Sequence, residues 1–545
     1  MRAAEELFGL LESDPVLKSS AFQGLPDQIK TLLVSTNVLK DPLKSAIEKN
    51  YSLMESLIVQ LTVMLKDFYI KESLILLEGK LTPEDEPTDQ DLNDILSISN
   101  GIMSFMLTLG MPLAECYLLY TRILMGKSLP DFSSRYVSWK EKILSPEQKY
   151  TVTLIIENDK LHDMLLADSP PVQFNGCTYT PFTKLQGKKA TRIEIQTSGM
   201  SVLTARMRAD VILMESLDVM ACMIGNSVVN IHNKFDATDE SGNTITILGF
   251  DNAINVNQDR LTVREFSHFI NSMRKLYSNS SELSVKKISS AFHFFKNGVG
   301  SHSKESRFTS FWSALESLTL GVSTRENISH DEHIIYAVVP FMGMDYFLKK
   351  MVAIRGIIRY LNLHICDDNG ARINFSTTDL AEIYLNIKKE RIRTELLSAL
   401  KPYLYARFML KKLILVCTNP REMGKKIIRH SNKVTLHIHR LYLLRNGIVH
   451  NAESHTDIDI LTANLEHYLR GAINAMFYTA YALPKVRSPE EAFVRYHFVY
   501  NNLVKELEPT FGLSSSLSKS IENEILNGGT TPSDSKVIEW LKLHV

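Results

Sequence analysis

Cysteine is scarce and scattered: five residues, at 116, 177, 222, 366 and 417, with no Cys-x-x-Cys pair. This excludes a disulfide framework and a zinc knuckle and fits a reducing compartment, so a cytoplasmic protein is expected. No apolar run approaches the roughly 18 to 20 residues that span a bilayer. The opening Met1-Arg-Ala-Ala-Glu-Glu-Leu is acidic and amphipathic, unlike a signal peptide, so no membrane partner is expected. A phosphate-binding loop is missing too. Gly126-Lys127-Ser128 resembles the end of one, but Thr121 stands where its first glycine must be. His330-Asp-Glu-His333 has metal-ligand spacing without an identifiable third ligand, and a capped helix start at Ser329 explains it better. No metal and no cofactor are expected. Net charge is also absent: 61 Lys and Arg face 61 Asp and Glu, so the chain as a whole has no preference for nucleic acid. Internal repeats and low-complexity tracts are not found.

What is present is an ordinary globular composition, 44% apolar and 22% charged, over 545 residues. That length predicts two or three domains. Residues 1–168 read as helices, with helical spacing of apolar residues over 50–79, 91–109 and 112–125. The 82–94 stretch carries two prolines and six acids and reads as an exposed loop whose last acids suit the next helix's first turn. From 169 the texture changes. Residues 172–180, 190–197, 228–232 and 244–248 alternate as strands do, around a helix over 201–224, so 169–256 reads as a small α+β region. Helical stripes return over 262–277, 284–298, 304–320, 330–364, 378–415, 421–445 and 457–482. The domains expected are thus 1–168, 169–256, 257–485 and a helical tail, 486–545. The fold class is mainly α with a small α+β insert.

Charge is unevenly placed. Between 386 and 445 there are 15 Lys or Arg against Glu390, Glu395 and Glu422, about +12 in sixty residues. Such a segment suits a polyanion, with Lys425, Lys426, Arg429, Lys433 and Arg440 as candidate contacts. The alternative is a solvated face offset in space by acids such as those at 84–94. The segment ends at Arg445-Asn-Gly-Ile-Val-His450. A guanidinium can clamp a phosphate through two hydrogen bonds, and an imidazole can move a proton near pH 7. On an unbroken helix, five residues would set these side chains about 140° apart, so a break at Asn446-Gly447 is expected to bring them together. The Arg-x4-His spacing alone is weak. With 24 Arg and 16 His, chance supplies about 0.7 matches, and three occur. Of the others, Arg359 to His364 is expected inside an apolar buried helix, and Arg325 to His330 in a loop beside Ser329.

Glu305-Ser-Arg-Phe-Thr-Ser-Phe-Trp-Ser-Ala-Leu-Glu-Ser-Leu318, followed by Arg445-Asn-Gly-Ile-Val-His450, resembles the HEPN superfamily, nearest its Apea-like branch of prokaryotic anti-phage proteins. Phe308, Trp312, Leu315 and Glu316 match that branch's Phe-x3-Trp-x2-Leu-Glu helix, and Arg445, Asn446 and His450 its Arg-x(4–6)-His element. The likeness covers roughly 283–485. The interval 325–420 exceeds a minimal HEPN bundle, and residues 1–256 match no family by eye.

The resemblance implies a HEPN-type bundle and a metal-independent endoribonuclease, its site shared by two copies in a homodimer or higher oligomer. His450 would serve as general base or acid, Arg445 would hold the scissile phosphate, and Asn446 would orient one of them. RNA, with tRNA among the candidates, would be cut to 2′,3′-cyclic phosphate and 5′-hydroxyl ends. The setting implied is abortive infection, with the N-terminal half restraining the site. Glu316 sits on an apolar face and needs a partner, for which Arg445 is the natural candidate. Trp312 reads as core. His437 and His439 fall on different helix faces, and His455 lies near the motif. Two rivals remain: a non-catalytic HEPN binding or oligomerisation module, and a nucleotide- or RNA-binding regulator.

Overall fold

The computed structural model describes residues 2–542 apart from 36–46, 83–85, 112, 128, 169, 185–186, 225–228, 250–262, 302, 324–327, 368–369, 376, 452–457, 484 and 530. It is mainly helical, with one antiparallel sheet. The chain divides into two compact units, residues 1–258 with 455–460 and residues 259–454 with 461–545.

In the first unit, apolar stripes build helices Ile47–Met64, Ile70–Leu81, Asp89–Thr108 and Phe132–Ile143. They share a core of Leu61, Leu74, Ile98, Ile102 and Tyr136. Thr88 and Asp91 form a capping box that starts the third of them, so the last acids of the acidic loop do serve a helix N-terminus. Asp94 also pairs with Lys80 at 3.0 Å, as does Asp91, so these acids already have a cation of their own.

The sheet comprises β1 (Gln148–Glu157), β2 (Val172–Phe174), β3 (Cys177–Thr183), β4 (Lys189–Gly199), β5 (Asn230–Ile231), β6 (Phe235–Asp239) and β7 (Thr244–Ile247). Its order is β2-β3-β4-β1-β6-β7, with β5 pairing β1. The expectation of helices throughout 1–168 fails at β1, which is central and carries Tyr150, Val152, Leu154 and Ile156 inward in strict alternation. Helix Val202–Ile224 lays Ala205, Ala209, Leu213 and Leu217, a four-residue stripe, into the sheet core. The buried Glu115 carboxylate accepts hydrogen bonds from the Ser201 hydroxyl at 2.5 Å and the Thr204 hydroxyl at 3.3 Å, joining the helical layer to this helix.

The second unit is built on two long helices, His330–Tyr360 and Pro420–Asn451. Pro420 opens the latter, and the Asn419 side chain accepts from the Glu422 amide at 3.2 Å, so the Asn-Pro punctuation acts as a helix start. Helix Pro489–Leu507 packs against both. Where the three meet, Gly343 lies under Ser431 and Tyr500, and the Tyr500 hydroxyl donates to Ser431 Oγ at 2.8 Å. The 325–420 interval folds into the same core through helices Leu380–Lys388, Glu390–Ala399 and Leu404–Thr418. Residues 486–545 are no separate tail: Tyr500, Leu503, Val504, Leu507, Val537 and Leu541 belong to that core.

Candidate functional site

The expected break at Asn446-Gly447 does not occur. Helix Pro420–Asn451 runs unbroken through the motif, and Gly447 is buried within it. A mid-helix glycine costs only about 1 kcal/mol, and this helix carries a long buried face up to Leu444 and Gly447. Arg445 and His450 therefore leave the helix about 140° apart. His450 is exposed and Arg445 half-buried.

Asn446 changes what this divergence means. It stands about 100° round from Arg445 but only about 40° from His450, its i+4 neighbour on the same face. The Arg445 guanidinium donates from Nη1 to Asn446 Oδ1 at 3.0 Å. The long arginine side chain thus bends round the helix, and its head is held by the residue that shares a face with the imidazole.

Glu316 does not pair with Arg445. Its Oε1 lies 3.0 Å from Nδ1 of His330, the first residue of helix His330–Tyr360. That placement satisfies a carboxylate on an otherwise apolar face of helix Lys304–Thr319 and makes Glu316 a tie between helix ends. Trp312 is buried in the core, as are Phe308 and Leu315. His437 and His439 do diverge: His437 Nδ1 lies 2.8 Å from the Tyr468 hydroxyl, and His439 pairs with buried Asp331.

The exposed side of helix Pro420–Asn451 carries Lys425, Arg429, Lys433, Arg440 and His450, with Lys426 half-buried beside them. On an ideal helix these five fall within about 100° of one another, so the imidazole continues the basic stripe while the Arg445 Cα lies behind it. Elsewhere the basic segment is offset, but by unexpected acids. Lys388 pairs with Asp534, and Arg421 pairs with Glu508 at 2.9 Å and Glu522 at 2.6 Å. Lys425 meets Glu422 at 3.1 Å.

The Arg359 match was expected to be buried and is not. Helix His330–Tyr360 ends one residue after Arg359, Asn362 takes a left-handed φ of 48°, and both Arg359 and His364 are exposed. The kind of break expected at Asn446-Gly447 is found here instead. Arg325 and His455 lie outside the described residues. Among the described residues no group of His, Cys, Asp or Glu side chains could hold a metal ion, and no helix is long and apolar enough to cross a membrane.

No family model, curated protein or solved structure matches this chain.

Proposed function

We propose that the chain is a metal-independent endoribonuclease of the HEPN type that acts in anti-phage defence. The attacking 2′-oxygen of the ribose bonds to phosphorus as the bond to the 5′-oxygen breaks. His450 takes the 2′-hydroxyl proton, and a second copy of the same helix supplies the proton for the departing 5′-oxygen. Arg445 binds the phosphate and offsets the charge that grows on it, while Asn446 positions that guanidinium. The observation that carries this reading is the Arg445–Asn446 hydrogen bond, which gives the motif's middle residue a task and draws the cation toward the histidine's face. The basic stripe leading to His450 supplies the electrostatics for a polyanionic substrate.

The divergence of Arg445 and His450 along one unbroken helix favours a second reading, an RNA-binding module without turnover. Sequencing of RNA ends after incubation with the full chain separates the two. Cleavage leaves 5′-hydroxyl ends, and His450→Ala and Arg445→Ala each lower it by about 10²-fold or more while RNA binding persists. Intact RNA with the unaltered chain, or undiminished cleavage by both variants, would overturn the nuclease.

A further inference from the structure

Three helices of the second unit bring histidine, tyrosine and lysine together at a junction that the motif does not use. On helix His330–Tyr360, Lys350 Nζ lies 5.6 Å over the Tyr346 ring. That ring stacks on His430 of helix Pro420–Asn451, with centroids 4.7 Å apart and planes 24° from parallel. Lys349 Nζ is 3.3 Å from Nε2 of His467 on helix Ile458–Ala482, and the next residue, Tyr468, is the hydroxyl partner of His437. Arg429 and Lys433 flank His430 on its own helix and are exposed.

These cations are gathered on adjoining helices. Among the described residues no carboxylate forms an ion pair with Lys349, Lys350, Arg429 or Lys433. Their mutual proximity shows in the groups between them. Burial, then Lys349, Lys433 and Lys350, all hold the His430 imidazole below its ordinary pKa. Asp345, one turn before Lys349, has its pKa raised by burial, and Lys349 opposes that rise. An ordinary solvated face spaces like charges apart or intersperses acids, because gathered like charges repel. Here two helices present theirs to one spot, around an aromatic pair.

Resting on the RNA reading above, we propose that this junction is a second RNA-binding site, in which Lys349, Lys350, Arg429 and Lys433 hold the sugar-phosphate backbone beside the Tyr346–His430 stack. Cations interleaved with aromatic rings are the composition that single-stranded RNA sites use. His430 lies fifteen residues before Arg445 on one helix, about 22 Å away along its axis, and the basic stripe joins the two places. A strand held at the junction would thus be led toward the motif. Tyr346, Lys349 and Lys350 extend the surface beyond the basic segment, which contains none of them.

The test uses the full chain carrying His450→Ala, which keeps the probe intact, and a labelled 20-nucleotide single-stranded RNA. Affinity is measured by anisotropy across a salt series. Each lysine contact to single-stranded RNA contributes about 0.7 to the slope of log affinity against log salt. Combined Lys349→Ala, Lys350→Ala and Lys433→Ala should lower the slope by about 2 and weaken binding roughly 50-fold at 0.15 M salt. The matching arginine triple should retain tight binding. If the alanine triple misfolds, single variants should each lower the slope by about 0.7. Unchanged slope and affinity in folded variants would overturn the junction site, as would absence of RNA binding by the parent. If the lysine variants weaken binding as expected but the unaltered chain, with His450 in place, leaves RNA uncut, the nuclease reading ends and the junction stands. One that cuts RNA with undiminished binding in the triple would do the reverse.

Discussion

Two glycines of helix His330–Tyr360 should respond to alanine with opposite signs. A Cβ on Gly343 would lie 2.6 Å from Ser431 Oγ and 2.7 Å from Tyr500 Cε2, well inside normal contact. A Cβ on Gly356 would have nothing within 4 Å. Both substitutions gain about 1 kcal/mol of helix propensity. At Gly356 that gain stands alone, so Gly356→Ala should stabilise by up to about 1 kcal/mol. At Gly343 it meets overpacking, which costs about 1–3 kcal/mol. The Ser431 hydroxyl can rotate away, but the Tyr500 ring is wedged in the core, so the clash should win by about 1–2 kcal/mol. Urea melts of the full chain and of each variant give the two differences. Adding Ser431→Ala to Gly343→Ala should recover only part of the loss, because the tyrosine ring stays. A Gly343→Ala chain at least as stable as the parent would refute the close approach of these helices. So would a comparable loss at Gly356, which would show that position, not contact, sets the effect.

Arg421→Ala should cost about 2–3 kcal/mol at pH 7, because it leaves the buried Glu508 carboxylate without its cation. Burial alone would raise the Glu508 pKa, but Arg421 and the Thr510 hydroxyl outweigh it and hold the carboxyl below its ordinary value. A folded carboxyl held low stabilises above the unfolded pKa and loses that contribution as pH falls through the folded one. The gap between parent and Arg421→Ala in denaturant melts should therefore narrow below about pH 4, and Glu508→Gln in the variant should recover stability; a gap independent of pH would count against the pair. His467 acts in the same direction at higher pH. Its side chain is exposed, yet desolvation by the surrounding protein and then Lys349 lower its pKa to about 4. Its unfolded form takes a proton first, so stability should fall as pH drops from about 6.5 toward 4. A proton-NMR titration should place the ring's midpoint near 4, rising partway in Lys349→Ala and on binding RNA; a midpoint near 6.5 in the parent would refute the crowding.

Helices were legible where apolar spacing repeats over several turns, as in 304–319 and 420–451, because burying one face of a helix imposes that period. The strand β1 was equally legible, since Tyr150-Thr-Val-Thr-Leu154 alternates after the Ser145-Pro146 break, but it is a short pattern among long helical stripes. Gly447 misled for a physical reason. Glycine marks a helix end only where the backbone turns left-handed, and Gly447 keeps helical backbone. Asn362, which does make that turn, gives no stronger local signal. Partners far apart in sequence were beyond reach. Lys349 and His467 are 118 positions apart, and Arg421 and Glu508 are 87 apart.

Those distant partners decide how the basic segment should be understood. Its sum of about +12 is a property of the sequence, whereas what a polyanion meets is the part left over after folding. Lys388 and Arg421 are taken up by Asp534, Glu508 and Glu522, acids of the last forty residues that pack into the same core. Lys388 and Arg421 therefore tie the C-terminal helices to the segment. Around Arg429 and Lys433, Lys349 and Lys350 of the neighbouring helix add further cations. Folding thus gathers positive charge at the junction beside His430. A polyanion drawn to the chain would be concentrated on that side of the long helix, the side on which Asn446 holds the arginine head.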